Sequence, residues 1–178
     1  MSDLARLIMV RPAGPSDVPA IEALHRASVR ELAAGYYAPA VLERFLAAGT
    51  VDRDLVDAGT YYLAEILGGP VGSGGWMAVD DGPAGAWRAK IRSVFVHPHW
   101  ARKGIGRRLV QHAESEAARA GFRHFELDAS LPGVPLYHHL GYREVQRRGY
   151  SLPDGTMLPV IHMEKRLAPV AACNEWGA

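Results

Sequence analysis

Two glycines and four basic side chains fall together at Arg102-Lys103-Gly104-Ile105-Gly106-Arg107-Arg108. Such a run is suited to holding an anion. A helix start leaves about four backbone N–H groups without internal partners and carries roughly half a positive charge. A turn stripped to glycine lets a phosphate approach those groups. The backbone supplies the cradle, and Arg102, Lys103, Arg107 and Arg108 supply the field. His97, His99, His138 and His139 lie close in sequence to this region or to the later Leu136–Tyr142 run. None is paired with an acidic or cysteine ligand at a recognised metal-binding spacing, so exposed loop positions account for them and no metal is expected.

The loop must be positioned by what flanks it. Ile91 to Val96 is a short β-branched and aromatic run closed by Pro98. Beyond it, Ile105, Leu109, Val110, Ala113, Ala117 and Ala120 recur at helical spacing, a face of mostly small residues that lets the helix approach a sheet closely, and Gly121 ends it. Arg123 to Ala129 alternates, with Phe125, Leu127 and Ala129 on one face and His124, Glu126 and Asp128 on the other. Strand, crossover helix and strand imply a parallel pair.

Upstream, Leu7 to Arg11 reads as a strand. Asp17 is placed to cap an amphipathic helix through Val18, Ile21, Leu24, His25, Ser28 and Leu32 that ends near Gly35. A shorter helix carries Val41, Leu42, Phe45 and Leu46. Between the two, Tyr36 and Tyr37 are read as packing or as the lining of a substrate pocket. Thr60 to Ile66 and Val71 to Val79 form a hairpin around Gly68-Gly-Pro70, ended by Asp80-Asp-Gly-Pro83. Gly72, Gly74 and Gly75 mark a bulge, a close approach, or packing under Trp76. A fourth strand runs from about Ala89 to Val96. Downstream, Leu136 to Leu140 makes one helical turn, and a terminal hairpin pairs Tyr142 to Leu152 with Thr156 to Leu167 around Pro153-Asp-Gly155.

The chain has 178 residues, 48% of them hydrophobic, enough for one full core. Residues 1–167 are read as a single domain and 168–178 as a tail without periodicity. A net charge of +1 argues against a general nucleic-acid footprint. The lone Cys173 cannot form an internal disulfide, which fits a reducing compartment. The apolar run Leu7-Ile-Met-Val10 is shorter than a signal-peptide core, and no stretch approaches the roughly 20 apolar residues of a membrane span. A cytoplasmic protein is expected.

Three phosphate-binding readings compete for the glycine loop. A nucleoside-triphosphate P-loop needs Gly-Lys-Ser or Gly-Lys-Thr after its spacer, and the chain has no such run. A dinucleotide fingerprint gains from Glu126 about twenty residues on. It fails because Leu109 holds the third glycine position and seven residues separate Val96 from Gly104. The third reading is a resemblance. Val94-Phe-Val-His-Pro98 followed by Arg102-Lys-Gly-Ile-Gly-Arg107 resembles the acetyl-CoA motif of the GCN5-related N-acetyltransferase (GNAT) superfamily. Leu136-Tyr-His-His-Leu-Gly-Tyr142 is similar to that family's second signature, and the order of elements agrees over about residues 7 to 167.

The resemblance implies a mixed, mostly antiparallel α/β sheet of about seven strands with helices on both faces. It implies an N-acetyltransferase that moves an acetyl group from acetyl-CoA to a primary amine by direct attack, through a tetrahedral intermediate. The diphosphate would rest on Arg102, Lys103, Gly104, Ile105, Gly106 and Arg107, and the pantetheine arm would run along Val94, Phe95 and Val96, provided the fourth and fifth strands splay apart. Tyr137 matches the signature tyrosine that protonates the departing thiolate. Glu126 resembles a fifth-strand glutamate that serves some members as general base, with Asp128 or ordered water as alternatives. Ala101 stands where the family usually carries Arg or Gln, with Arg102 one place later, and Ser130 is the nearest substitute for a cofactor-contacting Asn. The acceptor, a small molecule or a peptide amine, is not encoded in a readable motif. A homodimer is compatible with the resemblance, as is a non-catalytic acyl-CoA sensor. A toxin-type member acting on charged tRNA would use the basic run 102–108, which phosphate binding explains better.

Overall fold

Along the strand Tyr61–Ile66, Tyr61 and Leu63 enter one core cluster and Tyr62, Ala64 and Ile66 another, so this strand is covered on both faces. The computed structural model describes residues 7–79 and 88–168. Its strands are β1 (Ile8–Pro12), β2 (Tyr61–Ile66), β3 (Gly69–Val79), β4 (Arg88–Val96), β5 (His124–Ser130), β6 (Arg143–Ser151) and β7 (Met157–Arg166). They form one seven-stranded sheet in the order β1-β2-β3-β4-β5-β7-β6, antiparallel except for the β4–β5 pair. The expected mixed sheet with helices on both faces is what is found.

The helices are α1 (Val18–Leu32), α2 (Pro39–Ala47), α3 (Arg53–Asp57), α4 (Ile105–Arg119) and α5 (Val134–His139). The small-residue stripe of α4, from Ile105 through Leu109, Val110 and Ala113 to Ala117, packs in the larger core with Tyr62, Ile91, Phe125 and Leu127. At Gly72 a Cβ would meet Ile105 Cγ2 at 2.8 Å and Leu109 Cδ1 at 2.9 Å, so glycine is there because the helix sits directly on the strand. Opposite, Ile21 of α1 and Leu55 and Val56 of α3 cover Tyr61 and Leu63. A third cluster joins Val29 and Ala33 to Leu42 of α2, with Phe95 packed onto it.

Two details depart from expectation. Helix α3 was not foreseen. Asp17 occupies the N-cap position of α1 without capping it: its carboxylate accepts from Gly14 N at 2.9 Å and from both Arg11 terminal nitrogens at 2.8 Å, closing the turn before the helix. Asp80 to Pro83, the tail from 169 and Cys173 lie outside the described residues.

β4 positions the site through two irregularities. Against β3, Ser73 pairs with Phe95 and Gly75 with Arg92, so Ser93 and Val94 together face Gly74. This is a bulge, and Ser93 takes the left-handed φ of 54° that few non-glycine residues adopt. Lys90 and Arg92 therefore share one face of β4 upstream, while downstream Val94 and Val96 turn to the larger core and Phe95 to the opposite side. Against β5, pairing covers only Arg88↔His124, Ala89↔Phe125 and Lys90↔Glu126. The two strands then part.

Candidate active site

A cavity of about 820 Å³ is lined by both parted strands, by the glycine loop, and by α1, α2 and β7. At its loop end Arg102 (φ 62°) and Gly104 (φ 86°) take left-handed backbone, and Gly104 is the N-cap of α4. A Cβ on Gly106 would meet Leu136 Cδ2 at 3.0 Å and Val96 Cγ2 at 3.5 Å, which presses the helix start between β4 and α5. Arg102, Gly104, Ile105, Gly106 and Arg107 line the cavity with Val94, Phe95, Val96 and Ser130. Among the described residues, Arg102 and Arg107 make no ion pair. Lys103 turns away: its ammonium donates to the His99 carbonyl at 2.9 Å and lies 4.7 Å over the Trp100 ring. An N–H cradle, two uncommitted guanidinium groups and an unpaired strand edge form a donor set that fits the diphosphate and amide arm of a coenzyme A thioester.

Tyr137 also lines the cavity, 8% exposed, with its ring edge-on to Tyr142 at 5.8 Å. Burial pushes its phenol above the usual range, so it is neutral at physiological pH. The two β5 carboxylates separate. Glu126, the expected base, is not in the cavity lining; its side chain is buried on Arg88 at 3.1 Å, beside His162 and Glu164. Three bonded residues of parallel β4–β5 ladder hold it there, at the closed end of the splay. Asp128, one repeat further along, does line the cavity. It meets Lys90 at 2.6 Å, Arg148 at 3.1 Å and His162 at 3.2 Å. Burial alone would raise its carboxyl, but these partners together hold it below the ordinary value.

Further residues shape the site, and of these only Tyr36 and Tyr37 were read from sequence as candidates for a pocket lining. Tyr37, read as packing or as pocket lining, does line the cavity; its hydroxyl donates to Pro159 O at 2.9 Å and accepts from Leu131 N at 2.8 Å. Tyr36 is exposed. Asp52 meets Arg92 at 3.1 Å on the same strand face as the Lys90–Asp128 pair. Beneath the bulge, His25 Nδ1 lies 3.0 Å from Thr50 Oγ1 and Nε2 lies 2.8 Å from Ser73 Oγ and 3.1 Å from the Tyr61 hydroxyl, which in turn donates to the Ser93 carbonyl at 3.3 Å. The signal for this network was a histidine at an apolar position of a helix face.

A family model described as an acetyltransferase (GNAT) domain matches residues 57–144, from the end of α3 into β6. No match was found among curated proteins. Among solved structures, a GCN5-related N-acetyltransferase from Rhodopseudomonas palustris is 26% identical, with a TM-score of 0.73, over 89% of this chain and 95% of that one. The PaiA N-acetyltransferase of Thermoplasma acidophilum, solved with coenzyme A, is 16% identical over 94% of this chain and 100% of its own, with a TM-score of 0.68. YncA of Salmonella typhimurium, solved with acetyl-CoA, is 22% identical over 95% and 99%, with a TM-score of 0.64. The domain match spans the glycine loop, the splayed strands and the Tyr137 helix, and the chain belongs to the GCN5-related N-acetyltransferase superfamily.

Proposed function

We propose that the protein transfers the acetyl group of acetyl-CoA to a primary amine, which attacks the thioester carbonyl directly through a tetrahedral intermediate. The observation that carries this reading is a single cavity running from the helix start at Gly104, along the unpaired edge of β4, past Tyr137. Arg102, Arg107 and the N–H groups of the loop hold the diphosphate, and the edge at Val94 to Val96 pairs with the amide arm. A backbone N–H near Phe95 faces the developing oxyanion; donors of this kind are worth about 10²–10³ in turnover.

Tyr137 gives its proton to the departing thiolate. The incoming amine is a harder problem, since an ammonium with a pKa of about 10.4 is only about one part in a thousand free base at pH 7. Asp128 is the β5 carboxylate placed to meet it. Held low by its cationic partners, Asp128 steadies the ammonium by charge while ordered water removes the proton. Glu126 acts at one remove, keeping Arg88 in place.

Calorimetry with acetyl-CoA on the intact protein and on Gly104→Glu tests the reading. Micromolar binding that is lost in the variant supports the loop assignment, and CoA release on adding amines supports the reaction. Binding with no release by any amine would leave an acyl-CoA sensor; no binding at all would withdraw the enzymatic reading.

A further inference from the structure

We propose that the acceptor is a small primary amine with an apolar body, a reading that rests on the acetyltransferase function above. Beyond Tyr137 the cavity continues into a chamber walled by Val29, Leu32, Leu42, Phe45, Leu158 and Val160. Away from the glycine loop, the charged lining residues are Lys90 and Arg92 of β4, Asp128 of β5, Asp52 before α3, and Arg53 and Asp54 of α3. Lys90 and Arg92 lie two residues apart on one face of β4, each carrying its own carboxylate, Asp128 at 2.6 Å and Asp52 at 3.1 Å. The Asp52 side chain is 11% exposed, and its Oδ2 faces the Arg92 guanidinium at 3.1 Å without an aligned hydrogen bond. An ammonium seated against these carboxylates can give Asp52 an aligned donor, while the carbon chain lies against the apolar wall.

The chamber is also stitched shut across its side. Tyr37, in the connection from α1 to α2, bonds Pro159 of β7 and Leu131 after β5. Arg44 of α2 donates to Asp154 at 3.2 Å and to Thr156 at 2.9 Å in the β6–β7 turn. A peptide lying across the site would have to break these ties, whereas a molecule entering end-on would not. With Lys90, Arg92 and Arg148 set against Asp52 and Asp128, the floor has no excess of negative charge to draw in a polycation, and the apolar wall offers a polyamine no partners for its further ammonium groups.

The test is CoA release measured with propyl-, butyl-, pentyl- and hexylamine, with spermidine and a lysine-containing peptide as competitors for the assignment. Each added methylene that is buried should raise kcat/KM about fourfold, until the chamber is filled. In Phe45→Gln the hexylamine-to-propylamine ratio of kcat/KM should collapse toward one, a comparison within one variant that a general loss of folded protein does not move. A flat alkyl series, or a higher kcat/KM for spermidine or the peptide, overturns the proposal. Acetyl-CoA titration separates two failures: tight binding with the wrong acceptor order, or with no release by any of these amines, removes the apolar-amine assignment alone, whereas no binding removes the acetyltransferase reading with it.

Discussion

The imidazole of His25 lies against the ring of Phe95, centroids 3.8 Å apart and planes 28° from parallel. Phe95 is two residues past the bulge at Ser93, and the same imidazole sits within hydrogen-bond distance of Ser73 and Tyr61, whose hydroxyl reaches the Ser93 carbonyl. A helix side chain thus holds the irregular part of β4 from beneath, by stacking on one residue and by a hydrogen-bonded relay to another. The backbone proposed to face the thioester is fixed by α1 as well as by its own sheet.

His25 should make stability depend on pH. Burial lowers its pKa to about 3, from 6.5 in the unfolded chain. Folding therefore favours the neutral ring, so the contribution is fully present above pH 6.5 and is lost as pH falls toward 3. The slope is about 1.4 kcal/mol per pH unit, which amounts to about 2 kcal/mol between pH 6.5 and pH 5. Urea unfolding at pH 5, 6 and 7 should show that decline in the natural protein and a flatter one in His25→Phe. Equal slopes in the two proteins would mean that the ring is protonated in the folded state.

Removing the phenol of Tyr137 should separate binding from turnover. In Tyr137→Phe, kcat should fall by about 10²-fold or more, the usual size of a lost general acid. Acetyl-CoA affinity should stay within about twofold, because the aromatic packing against Tyr142 survives. Unchanged kcat would take Tyr137 out of the mechanism.

The two β5 carboxylates should respond differently. Asp128→Asn removes a charge that faces the cavity and should raise KM for the amine about tenfold or more. Glu126→Gln should leave the pH dependence of kcat/KM unaltered and show its cost in thermal stability, since Arg88 loses its charged partner. With water as the proton acceptor, log kcat/KM should climb with a slope near one from about pH 7 to pH 9 in the natural protein. A plateau near neutral pH that Glu126→Gln abolishes would restore Glu126 as the base.

Gly72→Val tests the contact between helix α4 and the sheet. The added side chain meets Ile105 and Leu109 inside 3 Å, so overpacking should cost about 1–3 kcal/mol and lower the melting temperature by several degrees. A melting temperature equal to that of the natural protein would show that α4 can lift off β3 freely.

Much of the fold was legible because its signals are local. Alternation along Phe125, Leu127 and Ala129 gave β5 its faces, and the spacing of Leu109, Val110, Ala113 and Ala117 gave α4 its stripe. Helix α3 escaped because Arg53–Asp57 is barely longer than one turn, too short to show a period. The insertion of β7 between β5 and β6 escaped because nothing local in a hairpin says which of its strands faces the rest of the sheet. In the site, the glycine loop and Tyr137 stand in contiguous signatures, whereas the Lys90–Asp128 and Arg92–Asp52 pairs join residues 38 and 40 positions apart. The burial of Glu126 away from the cavity depends on where the β4–β5 ladder stops, a register that neither strand states by itself.

The bulge at Ser93 makes β4 a strand written in two phases. A pleated strand repeats every two residues, and the extra residue at the bulge shifts that count by one, which is why Ile91 before it and Val94 and Val96 after it share the larger core. Substitution at Ser93 alters only a side chain and a backbone angle. Deletion of that single codon would instead set Val94 alone opposite Gly74 in a regular ladder, with Val94 and Val96 still on the larger core and Phe95 still on the opposite face. What the extra residue supplies is a local bend and added twist in β4, not the facing of the residues that follow it.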